Sequence, residues 1–192
     1  MHHYKIASWD NGTILYEGYF PDLKHCIRSA VANGTNLDYA DLSGANLSDM
    51  DLDEMTLRYI LFNNANLRGA NITEAKLIQC SFINTDLQAV CFAYSRLESC
   101  DFSGALMHGA DIAGATLTRN IFSTRSACTL NFTAAERISE CLYRHQDETL
   151  CSFSRPPIYI QGLEQPLTIF DDCLLVGNTY VRPADLGHAN DN

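Results

Sequence analysis

Between Thr35 and Thr124 the chain repeats a five-residue unit eighteen times without a gap, and this period leaves few folds open. The central residue of every unit, at 37, 42, 47 and onward to 122, is Leu, Phe, Ile or Met. The residue two before it is usually small: Ala40, Ala45, Ala65, Ala70, Ala75, Ala105, Ala110 and Ala115, with Cys80, Cys100, Ser95, Thr35 and Thr85. A helix needs apolar residues at i, i+3, i+4 and i+7, and a half-buried strand needs alternation of two. A period of five satisfies neither, whereas short fixed self-similarity is the mark of a solenoid.

The number of units per coil is legible too. If four units complete a coil, residues twenty apart stack, and the central positions must sort into four columns of like side chains. The first column is Leu37, Leu57, Leu77, Leu97 and Leu117, and the second is Leu42, Phe62, Phe82, Phe102 and Phe122. The third is Leu47, Leu67, Leu87 and Met107, and the fourth is Leu52, Ile72, Phe92 and Ile112. Three units per coil would scatter the phenylalanines over all sides. Four and a half coils at about 4.8 Å per rung predict a rod roughly 22 Å long.

These units resemble the pentapeptide-repeat family, whose pattern is Ala, Asp or Asn, Leu, then two variable positions. The resemblance implies an all-β solenoid, a right-handed quadrilateral β-helix with the central and small residues inward. Among family members with a known activity are protein inhibitors of DNA gyrase that imitate duplex DNA, so the resemblance also implies a binding role. Met50, Met55, Ile60, Val90 and Asn120 are larger than the pattern asks and predict irregularity, most of all around residues 50 to 62.

The flanks predict caps. Residues 1–34 read as a hairpin over Lys5–Trp9 and Thr13–Phe20, turning at Asn11-Gly12. A helix follows from Pro21-Asp22, with Leu23, Ile27, Ala30 and Val31 on one face and Asn33-Gly34 at its end. A solenoid end offers unpaired backbone and an apolar cross-section, so this leader should cover the first coil, with Trp9 as its apolar anchor. Similar leaders precede the repeats of some bacterial and bacteriophage members of the family. Residues 125–192 form the far cap. Thr133-x-x-Glu136 has capping-box spacing, and Ala135, Ile138, Cys141 and Leu142 predict a helix over 134–146. Beyond Pro156-Pro157, short strands are expected at Ile158–Ile160, Leu167–Phe170, Leu174–Val176 and Thr179–Val181, with fraying from Gly187 to Asn192.

Composition narrows function. The chain of 192 residues carries a net charge of −10, which opposes direct binding of nucleic acid or an anionic membrane and favours basic protein partners. Met1-His2-His3-Tyr4-Lys5 lacks a signal-peptide pattern, so a cytoplasmic setting with reduced thiols is expected for the eight cysteines. No Cys-x-x-Cys pair, phosphate loop or nucleophile elbow is present, and neither a cofactor nor a metal is expected. Asp49-x-Asp51-x-Asp53 has the opening of a calcium loop, but Glu54 replaces the required Gly and Ile60 the bidentate Glu. Catalysis is therefore not expected.

Charge is unevenly spread over the four predicted sides. The fourth holds Asp51, Asp53, Glu54, Glu74 and Asp111 and no base, while the first holds Arg58, Lys76, Arg96 and Arg119 against Asp38 and Glu98. Duplex DNA carries a charge per about 1.7 Å, so a rod of roughly 22 Å would need on the order of 13 charges to match it all round. The repeat nets six, which permits imitation along one wall only. The expected function is thus an acidic decoy for a basic DNA-binding protein, with DNA gyrase or a defence nuclease as candidates. The alternative is an adaptor or homodimer, built through outward Leu61, Ile78, Ile83, Leu106 and Ile121 or through the C-terminal module.

Overall fold

In the computed structural model, which describes residues 1–127, 129–177 and 179–181, the repeat is a four-sided coil of stacked parallel rungs. The corners explain the period. Every fifth residue from Tyr39 to Arg119 is left-handed, with φ between +53° and +72°. Each such residue turns the chain through a corner, and the intervening residues run extended along a side. The coils bond directly to one another: the Leu47 amide donates to the Asn66 carbonyl at 2.7 Å, and the Asn66 amide to the Ala45 carbonyl at 2.9 Å.

The front cap matches expectation in outline. Strands β1 (His2–Ala7) and β2 (Ile14–Phe20) pair antiparallel and lead into helix α1 (Leu23–Ala32). Asp22 caps the helix by accepting the His25 amide at 2.9 Å. Hydrogen bonds from the His25 ring and amide hold its carboxyl below the usual carboxylate range. Gly34, at φ +68°, releases the chain into the first coil. Two residues behave otherwise than predicted. Val31 is exposed, and Cys26 joins Ile27 and Ala30 on the buried face. Trp9 is 46% exposed and is not the apolar anchor; that place is held by Ile6, at 1%. Trp9 sits in the turn after β1, its amide bonded to the Tyr39 carbonyl at the rim of the first coil, so it lies outside, leaning on Tyr39 and donating its indole N–H to the Tyr59 carbonyl. Tyr39 and Tyr59 stack at 4.6 Å.

Side one forms strands β3 (Thr56–Arg58), β4 (Lys76–Ile78), β5 (Arg96–Glu98) and β6 (Thr116–Thr118), paired parallel with Leu57, Leu77, Leu97 and Leu117 in register. Side two holds the aromatic ladder. Rings of Phe62, Phe82, Phe102 and Phe122 stack at 5.0, 5.0 and 5.3 Å, near-parallel, and Phe92 meets the ladder edge-on from side four. The large residues at the small position do not interrupt the rungs. Met50, Ile60, Val90 and Asn120 are all buried within an unbroken ladder, and Leu52 bonds to Asn71 at 2.8 Å as its smaller-sided neighbours do.

The coil outlasts its sequence signal. After β7 (Ile121–Ser123) and a single helical turn α2 (Thr124–Ala127), Ala127 and Phe132 still fall inward. Then come β8 (Arg137–Ser139), parallel to β6, and β9 (Cys141–Arg144), parallel to β7. The partners are now 21 apart: Leu117 faces Ile138, and Phe122 faces Tyr143. The extra residue is absorbed where the amides of Glu136 and Arg137 share the Ala115 carbonyl, at 2.9 and 3.4 Å. This corrects the helix expected over 134–146. Ile138 and Tyr143, five apart, keep the coil's spacing, and Leu142 turns to the outer row beside Ile121. The capping-box reading fails as well, because Asn131 accepts the Thr133 amide and caps a short 3-10 turn, Phe132–Ala134.

Strand β10 (Leu150–Phe153) folds antiparallel on β9 and sets Phe153 against Phe132 and Phe122, closing the far end of the core. The chain then forms a four-stranded meander: β11 (Ile158–Ile160), β12 (Leu167–Ile169), β13 (Leu174–Val176) and β14 (Thr179–Val181). These agree with the sequence reading to within a residue. The fraying expected from Gly187 to Asn192 lies outside the described residues. The meander is tied down by Phe170 against Tyr143 and by a Cys151–Cys173 disulfide. That disulfide corrects the expectation of reduced thiols throughout; the fold brings two buried cysteines from β10 and the β12–β13 turn to a Cα separation of 5.8 Å.

Candidate partner-binding surface

Outer positions of one side form rows that climb the rod in steps of about 4.8 Å. On side four, bridges place Asp51, Asn71, Cys91 and Asp111 in one row. Asp111 therefore stands three rungs, roughly 14 Å, from Asp51. The other acids stay together. Asp53 is next to Asp51, and Glu54 and Glu74 occupy successive left-handed corners on the same edge. The five predicted acids are all exposed, but four make a patch and Asp111 does not belong to it.

The structure adds two residues. Asp49, assigned by the sequence to side three, occupies the left-handed corner leading into side four and so extends the patch. Tyr94 follows Glu74 in the corner row and is 69% exposed, its ring covering Gly114, where an added Cβ would lie 2.5 Å from it. A large aromatic at a corner position was the available signal. Within the patch Asn71 donates to Asp51 at 3.0 Å. None of Asp49, Asp51, Asp53, Glu54 and Glu74 forms an ion pair with a described residue.

Side one is its counterpart. Lys76, Arg96 and Arg137 share a register row with Thr56 and Thr116. Arg96 and Arg119 both grip Glu98, and Arg58 approaches Asp38 at 3.9 Å. Positive charge here is partly neutralised, whereas the acids of side four are not.

The predicted apolar contact is dispersed. Leu61 and Ile121 share a side-two row but are separated by Ser81 and Asp101. Ile78, Ile83 and Leu106 lie on three different rows, and all five residues are half-buried. The exposed apolar surface lies instead on β11, an edge strand whose Ile158 and Ile160 are 53% and 38% exposed. Among the described residues, the one group with metal-ligand proximity is Cys151, Asp172 and Cys173, and its thiols are joined to each other. No helix among them is long and apolar enough to cross a membrane.

Residues 28–49, 45–88 and 80–119 match the family model for pentapeptide repeats, in eight copies. Solved structures similar to the chain include alr5209, a pentapeptide repeat protein from Nostoc Pcc 7120, at 28% identity and TM-score 0.34, covering 52% of this chain and 78% of that one. Full-length QnrB1, a plasmid-mediated fluoroquinolone resistance protein, is 19% identical with TM-score 0.29, covering 56% and 67%. AT2G44920, a pentapeptide repeat protein from the Arabidopsis thaliana thylakoid lumen, is 25% identical with TM-score 0.21, covering 41% and 61%. At these scores none of the three carries an argument about partner or activity. No curated protein matches the sequence.

Proposed function

The chain belongs to the pentapeptide-repeat family, and we propose that it works by binding another protein, with a basic DNA-binding protein as the partner. The observation that supports this reading is the patch of Asp49, Asp51, Asp53, Glu54 and Glu74, exposed across side four and its two corners with no ion pair to a described residue. A groove that receives phosphates is lined by Lys and Arg. Carboxylates clustered on the first coil, with Glu74 one rung above Glu54, offer such a groove opposite charge without the backbone of a nucleic acid, and they steer encounter over a Debye length. The imitation is one-sided, since Lys76, Arg96 and Arg137 make side one unsuitable. DNA gyrase and a defence nuclease are the first candidates.

Capture from a bacterial lysate at low and high salt tests the reading. Binding should fall steeply with salt, and Asp51→Asn/Asp53→Asn/Glu54→Gln should weaken it about tenfold or more. Capture indifferent to both changes would sink the decoy reading. A supercoiling assay with purified gyrase then decides that candidate alone.

One feature favours a second reading, an adaptor or homodimer. The three residues of β11 are exposed on a sheet edge that carries no Lys or Arg to discourage pairing. In that case Ile158→Lys should abolish association seen by sedimentation, and the acidic variant should leave it intact.

A further inference from the structure

The break in the repeat builds a cleft. Where side three would lay its fifth rung, the chain makes the single turn α2, leaving Leu106 at the base of a notch flanked by the β9–β10 turn. The notch has a volume of about 620 Å³, within the range of small-molecule sites. Its polar groups come from a row of side two. Ser103, Ser123 and Arg144 follow one another in register, so two hydroxyls and a guanidinium climb one wall. Arg125 stands on the other wall and forms no ion pair with a described residue.

From this arrangement we infer that the cleft binds the phosphate group of a small organic phosphate. Three observations support the assignment. Ser103 Oγ is shut off from solvent and is the one buried side-chain polar atom among the described residues without a hydrogen-bond partner. Such an orphan is costly unless a ligand or water completes it. Ser123 Oγ accepts the Gly104 amide at 2.9 Å, which leaves its proton free to donate. Arg144 is held only loosely, 3.8 Å from Asp101 and 3.6 Å from Glu148, beyond the distance of a tight charge-assisted bond. Glu148 has a side chain 79% exposed and can swing away from Arg144 as an anion enters.

Two guanidiniums and the Ser123 hydroxyl supply donors for a tetrahedral oxyanion, and a turn about χ1 brings the enclosed Ser103 hydroxyl to it. Leu106 and the remaining volume accommodate an uncharged body attached to it. The negative charge of the chain as a whole opposes entry of a polyanion, which restricts the ligand to something small. His145, its Nδ1 held by Asp147 at 3.0 Å, borders the same space.

Titration of the full chain with AMP, adenosine and inorganic phosphate, followed by calorimetry and amide NMR, tests the assignment. AMP should bind saturably and about tenfold or more tighter than adenosine. Arg125→Gln should weaken AMP binding about tenfold and Ser103→Ala about threefold, while Arg119→Gln on side one changes nothing. Inorganic phosphate binding as tightly as AMP would keep the oxyanion site and assign it to the free ion. Adenosine matching AMP, equal losses in Arg119→Gln and Arg125→Gln, or no saturable binding of either phosphate probe would each overturn it. Ser103→Ala, a near-isosteric change, keeps the test decisive should Arg125→Gln misfold.

Discussion

A polar side chain at an inward position serves the backbone of this coil by bonding the groups beside a corner. Cys80 and Cys100 donate their thiols to the carbonyls of Leu57 and Leu77, and Thr85 donates its hydroxyl to Phe62 at 2.6 Å. Each acceptor is the central residue 23 positions earlier. Asn120 does more: its Nδ2 donates to the Leu97 carbonyl and its Oδ1 accepts the Cys100 amide, both at 2.8 Å. The irregularity predicted from its size is absent because the amide replaces backbone bonds rather than breaking them. Asn120→Leu would strand a buried donor and a buried acceptor, and should cost about 2–3 kcal/mol in urea unfolding. Burial quiets two of the inward thiols, pushing Cys100 well up and Cys141 up to about 11. The inward columns were legible residue by residue, since twenty-residue spacing fixes direction. Trp9 was not, because apolar character alone does not say whether a residue at a strand end meets the core or its rim.

At the scale of elements, the far cap shows where pattern fails. Ala135, Ile138, Cys141 and Leu142 suit a helix, yet Ile138 and Tyr143 also suit the next rung, and an existing ladder outweighs local propensity. A one-residue insertion at Glu136 hid this from a search for strict fives. The four meander strands were legible because Gly and Pro turns bracket short β-branched runs. The disulfide was not, since pairing depends on the fold. It closes a loop with a sequence separation of 22, for which chain entropy predicts about 3 kcal/mol. Dithiothreitol should therefore expose amides of β10 to β14 to hydrogen exchange and leave those of β3 to β6 protected. The β9–β10 turn gives a pH prediction. Hydrogen bonds from the Thr149 hydroxyl and amide, with the His145 ring, hold the Asp147 carboxyl down at about 2. A depressed carboxylate stabilises the fold above its unfolded value and ceases to as pH falls through its folded one. The turn should thus stay closed on acidification to pH 4 and loosen towards pH 2, with the Asp147 carboxyl carbon titrating near 2 by NMR.

For the whole molecule, both ends are covered by dissimilar devices, a hairpin and helix in front and a disulfide-tied meander behind. Deleting residues 1–34 would uncover Leu37, Leu42, Leu47 and Leu52 together with the backbone of the first coil. The truncated chain should stack end to end, seen as a concentration-dependent rise in mass by light scattering, with the far cap unchanged. The acidic patch belongs to this scale too. Its members were readable as a list, but only the corners showed that Asp49 joins them, that Tyr94 stands beside them and that Asp111 does not.

The square cross-section makes chain length an angular quantity. Excising twenty residues, such as 77–96, would shorten the rod by a single storey and return every later residue to its own compass bearing. Excising five would leave the rod almost as tall but swing everything downstream through a quarter turn. The cleft beside Leu106 would then face a new direction relative to the carboxylates of the first coils, so the two surfaces can be re-aimed by deletion alone, without altering a residue of either.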